Sequence, residues 1–147
     1  MNKFAFHLEN ALKYRQRLEE QEEEHLVQAM KKVQLEEGRS TRLKLEKLNY
    51  LSSYDCHKIS LITMQQQTAY LAGLDSRIEG QRKQLEQARK AFSSQRARVI
   101  KASTTRKTLE QLKGKYFAKY QLALAKEEQK VLDEVGIVAY CRKANNY

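Results

Sequence analysis

Residues 71–102 read LAGLDSRIEGQRKQLEQARKAFSSQRARVIKA, and this stretch repeats an apolar residue every seven positions. The first position of each heptad (a) holds, in order, Leu71, Ile78, Leu85, Phe92 and Val99. The fourth position (d) holds mostly Ala or Gln. Apolar a residues with small or amide d residues are typical of a coiled coil, in which two helices pack along one narrow seam. These five a residues are therefore predicted to form the seam.

The first third of the chain carries a weaker version of the same pattern. Glu19 and Glu22 occupy positions on this helical stripe where apolar residues would be expected. The apolar members of the stripe are Leu8, Leu12, Leu26, Met30 and Val33. Further along, Leu43, Leu45, Leu48 and Leu51 restore the apolar pattern. A second long helix before the seam stretch is therefore predicted.

The apolar pattern also continues after the seam stretch, but in a different phase. The strict heptad fails at Arg106, and later apolar residues mostly follow steps of three and four. Such a shift of phase is called a stutter, and it locally unwinds a supercoil. The residues of this later set are Leu109, Leu112, Tyr116, Tyr120, Leu124, Val131, Val135 and Val138.

A short segment between the two patterns favours a turn. Residues 52–57 contain two Ser and one Asp, whose side chains compete with the helical backbone for hydrogen bonds. The turn is placed at about 54–60, and the alternatives are Gly73–Ser76 and Ser103–Thr105. The prediction is a single all-α domain over 1–147, a long antiparallel coiled-coil hairpin. Helix one covers about 4–53 and helix two about 61–140, so the end of helix two overhangs.

Composition excludes several other classes of protein. The chain has no Pro, 31% charged residues, and no apolar run near the roughly 18 residues of a membrane span. A cytosolic protein is therefore predicted. Cys56 and Cys141 lie far apart without a C-x-x-C spacing, so free thiols are expected rather than a disulfide.

The motifs of common enzyme and metal sites are missing from the sequence. The three His residues form no H-E-x-x-H pattern, and the five Gly residues form no phosphate-binding loop. The neighbours Cys56 and His57 lack the second pair of ligands that a zinc site needs. We expect no catalytic activity, no cofactor and no bound metal.

Positive charge is concentrated in the second half of the chain. The net charge is +10, and residues 82–119 contain twelve Lys or Arg against only Glu86 and Glu110. A segment this basic attracts acidic partners. The charge is also compatible with a solvated helix face or with binding to nucleic acid.

Three stretches of the chain resemble those of one known family. The opening FAFHLENALKYR at Phe4–Arg15 is similar to the F-x-F-x-L-x-x-x-L-x-x-R start of the flagellar export protein FliJ family, a component of the type III export apparatus. Residues Met64–Ile78 resemble its segment of Gln, aromatic and aliphatic residues after the turn. The acidic stretch Glu127–Glu134 resembles its C-terminal pattern. The resemblance covers nearly the whole chain.

The resemblance implies a fold, a location and a set of partners. The fold would be a two-helix coiled coil similar to the central stalk of rotary ATPases. The partners would be the hexameric flagellar export ATPase, the cytoplasmic domain of the export gate protein, and export chaperones. The chain alone would be a monomer without nucleic acid, at the inner face of the bacterial membrane at the flagellar base.

Particular residues follow from the same resemblance. The gate-binding residues would be Tyr70, Leu74 and Gln81, although Arg77 stands where the family has a small residue. Alternatively, Tyr70, Leu74 and Ile78 simply pack against helix one. By analogy with the rotary stalk, the residues for the ATPase contact would be Phe4, Phe6, Leu8, Leu12, Tyr116, Phe117 and Tyr120. Alternatively, Phe4 and Phe6 only stabilise the start of helix one by packing against it.

Two other classes of function remain open from the sequence. One is a basic coiled-coil scaffold or nucleic-acid-binding protein, whose binding would fall steeply with salt. Against it, few aromatic residues are interleaved with Lys and Arg, and no known nucleic-acid-binding motif is present. The other is a passive dimer of two hairpins.

Overall fold

The computed structural model describes residues 4–53 and 60–144, and they form two long helices. Helix α1 spans Glu9–Ser52 and helix α2 spans Leu61–Ala144. No strand occurs in either described range. The helices pack against each other in antiparallel directions, because residues late in α1 contact residues early in α2. The predicted all-α antiparallel hairpin is therefore confirmed.

Helix α1 begins at Glu9, five residues after the predicted start at Phe4. Phe4–Phe6 lie outside the helix, and the Glu9 amide donates to the Phe6 carbonyl at 3.0 Å. A carboxylate in the first turn interacts favourably with the positive end of the helix dipole. Glu9 also forms an ion pair with Lys113 of α2 at 2.7 Å.

Two serines complete the end of α1. The Ser52 and Ser53 hydroxyls donate to the carbonyls of Asn49 and Tyr50, both at 2.9 Å. The Tyr50 carbonyl is one of the last four carbonyls of the helix, and the Asn49 carbonyl also accepts a bond from the Ser53 amide at 3.1 Å. The predicted turn at about 54–60 lies almost wholly on residues 54–59, which are outside the described residues. The two alternative turns, Gly73–Ser76 and Ser103–Thr105, both lie inside the continuous helix α2.

The structure divides into two compact units, each containing parts of both helices. Unit 1 comprises Met1–Arg17 with Ser103–Tyr147, and unit 2 comprises Leu18–Ala102. In unit 2 the buried or half-buried positions of α2 recur with the heptad spacing. The five seam residues Leu71, Ile78, Leu85, Phe92 and Val99 are half-buried. The d residues Leu74, Gln81 and Ala88 are buried. A two-helix seam lacks a thick core, and this explains why the a residues keep partial exposure.

On α1 the predicted apolar stripe is largely on the inward side, since Leu8, Leu12, Leu26 and Val33 are buried or half-buried, but some apolar residues are not. Met30 is 47% exposed, and its neighbour Ala29 is half-buried instead. Leu45, Leu48 and Leu51 are also exposed, whereas Leu43 is half-buried. The reason is that the partner helix accepts only positions that keep the heptad spacing, and apolar residues between those positions face water.

In unit 1, the segment before and at the start of α1 packs on the middle of α2. Phe6 and Leu12 are buried there, and Leu109, Leu112 and Leu124 are half-buried. Burying a side chain of this size contributes about 1.5–3 kcal/mol. Beyond Leu124, every residue of α2 up to Arg142 is exposed. The last part of α2 in this unit therefore extends without a described helical partner.

Candidate partner-binding surfaces

The three residues expected to bind the export gate have different environments in unit 2. Leu74 is only 1% exposed, and Gln81 is buried. Tyr70 is 41% exposed. Because Leu74 and Gln81 lie at d positions of the seam, they face α1. Of the three, only Tyr70 presents a large part of its side chain to a partner in this conformation.

Tyr70 is held in place by two residues near the end of α1. Its hydroxyl donates to Glu46 Oε1 at 3.0 Å, and its ring lies 4.6 Å from the ring of Tyr50. The hydrogen bond to the Glu46 carboxylate, followed by desolvation, raises the pKa of the Tyr70 phenol. Nearby, Lys47 forms an ion pair with Asp75. The contacts with Glu46 and Tyr50 orient the Tyr70 ring at the surface of the helix pair.

Gln81 takes part in a buried polar contact that replaces apolar packing in the seam. Its Nε2 donates to Glu36 Oε2 at 2.5 Å and to the Glu36 backbone carbonyl at 3.2 Å. Arg39 donates to the other carboxylate oxygen at 2.9 Å. Glu36 is buried, so the bonds from Gln81 and Arg39 give each oxygen of its carboxylate the partner that a buried carboxylate needs.

The same arrangement recurs fourteen residues away along both helices. Gln95 Nε2 donates to Glu22 Oε2, and to the Glu22 backbone carbonyl at 3.1 Å. We call Glu36–Gln81 and Glu22–Gln95 the two polar layers. Sequence reasoning placed Gln81 and Gln95 at d positions and Glu22 on the apolar stripe of α1, but it did not pair them. The pattern that could have predicted the pairing is the presence, on each helix, of polar residues at positions where apolar residues are expected.

In unit 1, the aromatic residues expected to bind the ATPase contact one another. The Phe4 ring meets the Phe117 ring edge-on at 5.2 Å and the Tyr120 ring at 5.6 Å. The Phe6 ring lies 6.1 Å from that of Tyr116. These distances are typical of favourable aromatic pairs. We call these five residues the aromatic cluster.

The cluster is partly accessible to a partner. Tyr116 is 44% exposed and Phe117 43% exposed, whereas Phe6 and Leu12 are buried. Leu8 is half-buried. Phe6 is therefore the buried member of the cluster, and Tyr116 and Phe117 are the members that a partner can reach.

The end of α2 carries the most exposed apolar surface of unit 1. Val131, Val135 and Val138 follow Leu124 at helical spacing, and each is at least half exposed. We call these three valines the terminal stripe. Glu127 and Glu128 border a shallow groove next to Val131 and Leu132. Apolar side chains that are exposed in a row commonly mark protein interaction sites.

No three His, Cys, Asp or Glu side chains described by the structure come together as a group that could hold a metal ion. Cys56 and His57, which lack the second pair of ligands that a zinc site needs, lie outside the described residues. Cys141 is an exposed free thiol. Across the described residues, neither helix is long and apolar enough to cross a membrane.

Comparison with known proteins identifies the family. The family model described as "Flagellar FliJ protein" matches residues 4–145, nearly the whole chain. No curated protein and no solved structure shows significant similarity to this chain. Members of this family are components related to flagellar protein export. The match agrees with the two-helix fold and with the opening motif at Phe4–Arg15, and the chain therefore belongs to the flagellar FliJ family.

Proposed function

We propose that this protein is a non-enzymatic, stalk-like component of flagellar type III export that links the export ATPase to the export gate. The observation that carries the proposal is the end of α2, a long exposed helix with the terminal stripe on it. Family membership supports a location at the cytosolic face of the membrane at the flagellar base. Export chaperones are further proposed partners on the same basis.

The proposed ATPase contact combines the accessible part of the aromatic cluster with the terminal stripe. Tyr116 and Phe117 expose ring surface, and Val131 and Val135 expose methyl groups within the same unit. An apolar helix face of this kind suits a groove or socket in a partner protein. The buried Phe6 contributes by packing its ring against that of Tyr116.

The proposed gate contact lies in unit 2 around Tyr70. Its ring is accessible and oriented by Glu46 and Tyr50. Arg77 is exposed nearby on α2, so a charged side chain takes the place of the small residue that the resemblance implies. Leu74 and Gln81 then act indirectly, by fixing the helix that presents Tyr70.

The ATPase contact is tested with the purified export ATPase of the same organism and the full chain. Val131→Asp with Val135→Asp should weaken binding at least about tenfold, because charge is introduced into an apolar contact. The matched control is Leu122→Asp, an equally exposed apolar residue on the opposite face of α2. Equal binding by both variants and the unchanged chain would rule out the terminal stripe as the contact.

The gate contact is tested with the purified cytoplasmic domain of the gate protein. Tyr70→Ala should weaken binding while leaving helicity nearly intact. Tyr70→Phe is the control, since it keeps the ring and removes only the bond to Glu46. If Tyr70→Ala lost much of its helicity, Tyr70 would belong to the packing of the helix pair and not to a binding surface.

A further inference from the structure

In unit 2, one side of the helix pair is charged in its middle and apolar near the turn. The ion pair between Glu37 and Arg89, at 2.7 Å, marks this side on both helices. Leu51 lies two heptads after Glu37 on α1, and Leu61 lies four heptads before Arg89 on α2, so both belong to the same side. Near the turn, apolar residues therefore take the positions that charged residues hold further along.

These two leucines belong to a larger group of exposed apolar side chains. Leu45 and Leu48 precede Leu51 in steps of three, and Ile62 follows Leu61. All five side chains are at least 47% exposed, and we call them the hairpin-end patch. Exposed apolar side chains grouped in this way commonly mark an interaction site. Their burial against an apolar counterpart would be favourable.

Charge near the patch is distributed in two zones. The described residues 48–53 and 60–74 contain no charged side chain, although 31% of the whole chain is charged. The adjoining residues 39–47 and 75–83, which we call the basic band, contain seven Lys or Arg and three acidic residues. The acidic residues already have partners in the chain, and the pairs are Glu46–Tyr70, Asp75–Lys47 and Glu79–Arg82. An uncharged end is thus followed by a band of net positive charge.

We propose that the hairpin-end patch inserts into the surface of an anionic lipid bilayer, with the basic band at the level of the lipid phosphates. Helices that bind membrane surfaces place apolar side chains at the boundary between headgroups and acyl chains, and keep Lys and Arg beside them. The patch supplies the apolar side chains, and the band supplies the cations that anionic headgroups attract. The chain would lie against the bilayer without crossing it.

The composition of the patch favours lipid over a protein partner. The patch consists of four Leu and one Ile, without an aromatic residue or an Arg. The residues that dominate binding energy in protein interfaces are mostly Trp, Tyr and Arg, and Leu is under-represented among them. Acyl chains need no such anchors, because any exposed aliphatic side chain gains by leaving water.

The patch is separate from the proposed gate contact. Glu46 and Tyr70, which are joined by a hydrogen bond of 3.0 Å, each directly precede an inward position of the seam. Glu37 and Arg89 each directly follow an inward position, so they mark the opposite side of the helix pair. Lipid binding by the patch therefore requires neither the gate protein nor the ATPase.

The test measures binding of the full chain to vesicles of phosphatidylcholine, with and without about one-third phosphatidylglycerol. The unchanged chain should bind the anionic vesicles more tightly. Leu48→Gln with Leu51→Gln should lower the partition coefficient by about tenfold, because two apolar side chains no longer leave water. The matched control is Val27→Gln with Met30→Gln, which changes the same two heptad positions three heptads earlier, at similar exposure.

Two further measurements test the basic band and the depth of the patch. Arg42→Gln with Lys44→Gln should weaken binding to the anionic vesicles several-fold. Lys31→Gln with Lys32→Gln, two exposed cations of α1 outside the band, should have a smaller effect. In a chain whose two native cysteines are changed to Ser, an environment-sensitive dye on Leu48→Cys should shift to the blue on vesicles, whereas the same dye on Val27→Cys should not.

Vesicle binding that the patch variant loses and the matched control keeps supports the proposal. Absence of binding to anionic vesicles, or an equal effect of both variants, overturns it and leaves the proposed function standing, because that function is tested with the purified ATPase and gate protein. If the patch variant changes the sedimentation of the chain without lipid, a second copy covers the patch and the proposal is wrong. If it loses binding to the gate domain but not to vesicles, the patch belongs to a protein contact instead.

Discussion

At the scale of single residues, Gln81 shows how one side chain serves both helices. Its amide donates to the carboxylate and to the backbone carbonyl of the same residue, Glu36. This geometry requires the two backbones to approach closely, and small residues such as Ala88 at other d positions permit that approach. A polar residue in the seam is thus compatible with a stable helix pair only because its partner is opposite.

Replacing one member of this polar layer should lower the free energy of unfolding more than replacing both members does. Gln81→Leu removes a donor from the buried Glu36 carboxylate and should lower the free energy of unfolding by about 1–3 kcal/mol. Glu36→Leu with Gln81→Leu should recover most of that loss or even stabilise the chain. Urea unfolding followed by circular dichroism measures both. A double variant less stable than Gln81→Leu would show that the polar layer itself stabilises the fold.

The phenol of Tyr70 gives a prediction about pH. The hydrogen bond to Glu46 favours the neutral phenol and raises the pKa of Tyr70 above its ordinary value of about 10. The corresponding stability is present below the ordinary pKa and is lost as the pH rises through the raised one. Glu46→Gln should therefore lower the pKa of Tyr70. Carbon NMR of labelled tyrosine rings measures it, with Tyr70→Phe to assign the signal, and an unchanged pKa would contradict the hydrogen bond.

At the scale of the helices, the seam of unit 2 combines a repetitive apolar pattern with the two polar layers. The a residues are similar in every heptad, so apolar packing alone would tolerate a slip of one heptad. After such a slip, Glu36 would face Leu74 or Ala88 instead of Gln81, and its buried charge would lose its amide partner. The polar layers therefore select one register, as single polar residues do in other coiled coils.

A charge at the seam should destabilise the helix pair. Phe92→Asp and Ile78→Asp each place a carboxylate at a half-buried a position without a partner, and each should cost about 2 kcal/mol or more. Thermal melting followed by circular dichroism tests this, and Val131→Asp on exposed helix is the matched control. An unchanged melting temperature for either seam variant would show that the assigned heptad positions are wrong.

Register selection predicts a change in cross-linking. Ala29 lies seven residues from Glu36, and Ala88 lies seven residues from Gln81, so the two alanines occupy facing positions. In a chain whose Cys56 and Cys141 are changed to Ser, Ala29→Cys with Ala88→Cys should therefore form a disulfide rapidly. Replacing all four residues of the polar layers by Leu should slow this reaction, because slipped registers become populated. If the rate does not change, apolar packing is sufficient to set the register.

At the scale of the whole molecule, we expect the chain to be a monomer in solution. The heptad seam of α2 is already used within the chain, and the three valines of the terminal stripe span eight residues, 131–138. A stripe this short buries little apolar area when two copies pair. The acidic Glu127, Glu128, Asp133 and Glu134 add repulsion between two copies in a parallel pair. Sedimentation velocity over a dilution series tests this. A dimer that Val131→Asp dissociates would identify the terminal stripe as a self-association surface.

The sequence by itself determined the class of fold and the family. The heptad from Leu71 to Val99 requires a second helix to cover it, since apolar residues at that spacing are shielded from water only by another helix. It also placed Gln81 and Gln95 on the inward side of α2. The opening motif at Phe4–Arg15, together with Met64–Ile78 and Glu127–Glu134, suggested the family that the comparison then identified.

Only the tertiary structure decided which residues of each stripe are buried and which face a partner. Met30 and Ala29 are neighbours on one helix, and so are Tyr70 and Leu74. In each pair one side chain is exposed and the other is not, because burial depends on which residues of the other helix lie opposite. The pairing of Glu36 with Gln81 joins residues 45 positions apart, and no local pattern encodes that contact. The exposure of the valines at the end of α2 has the same origin. Burial depends on a second surface at a matching position, which exists only once the chain has folded.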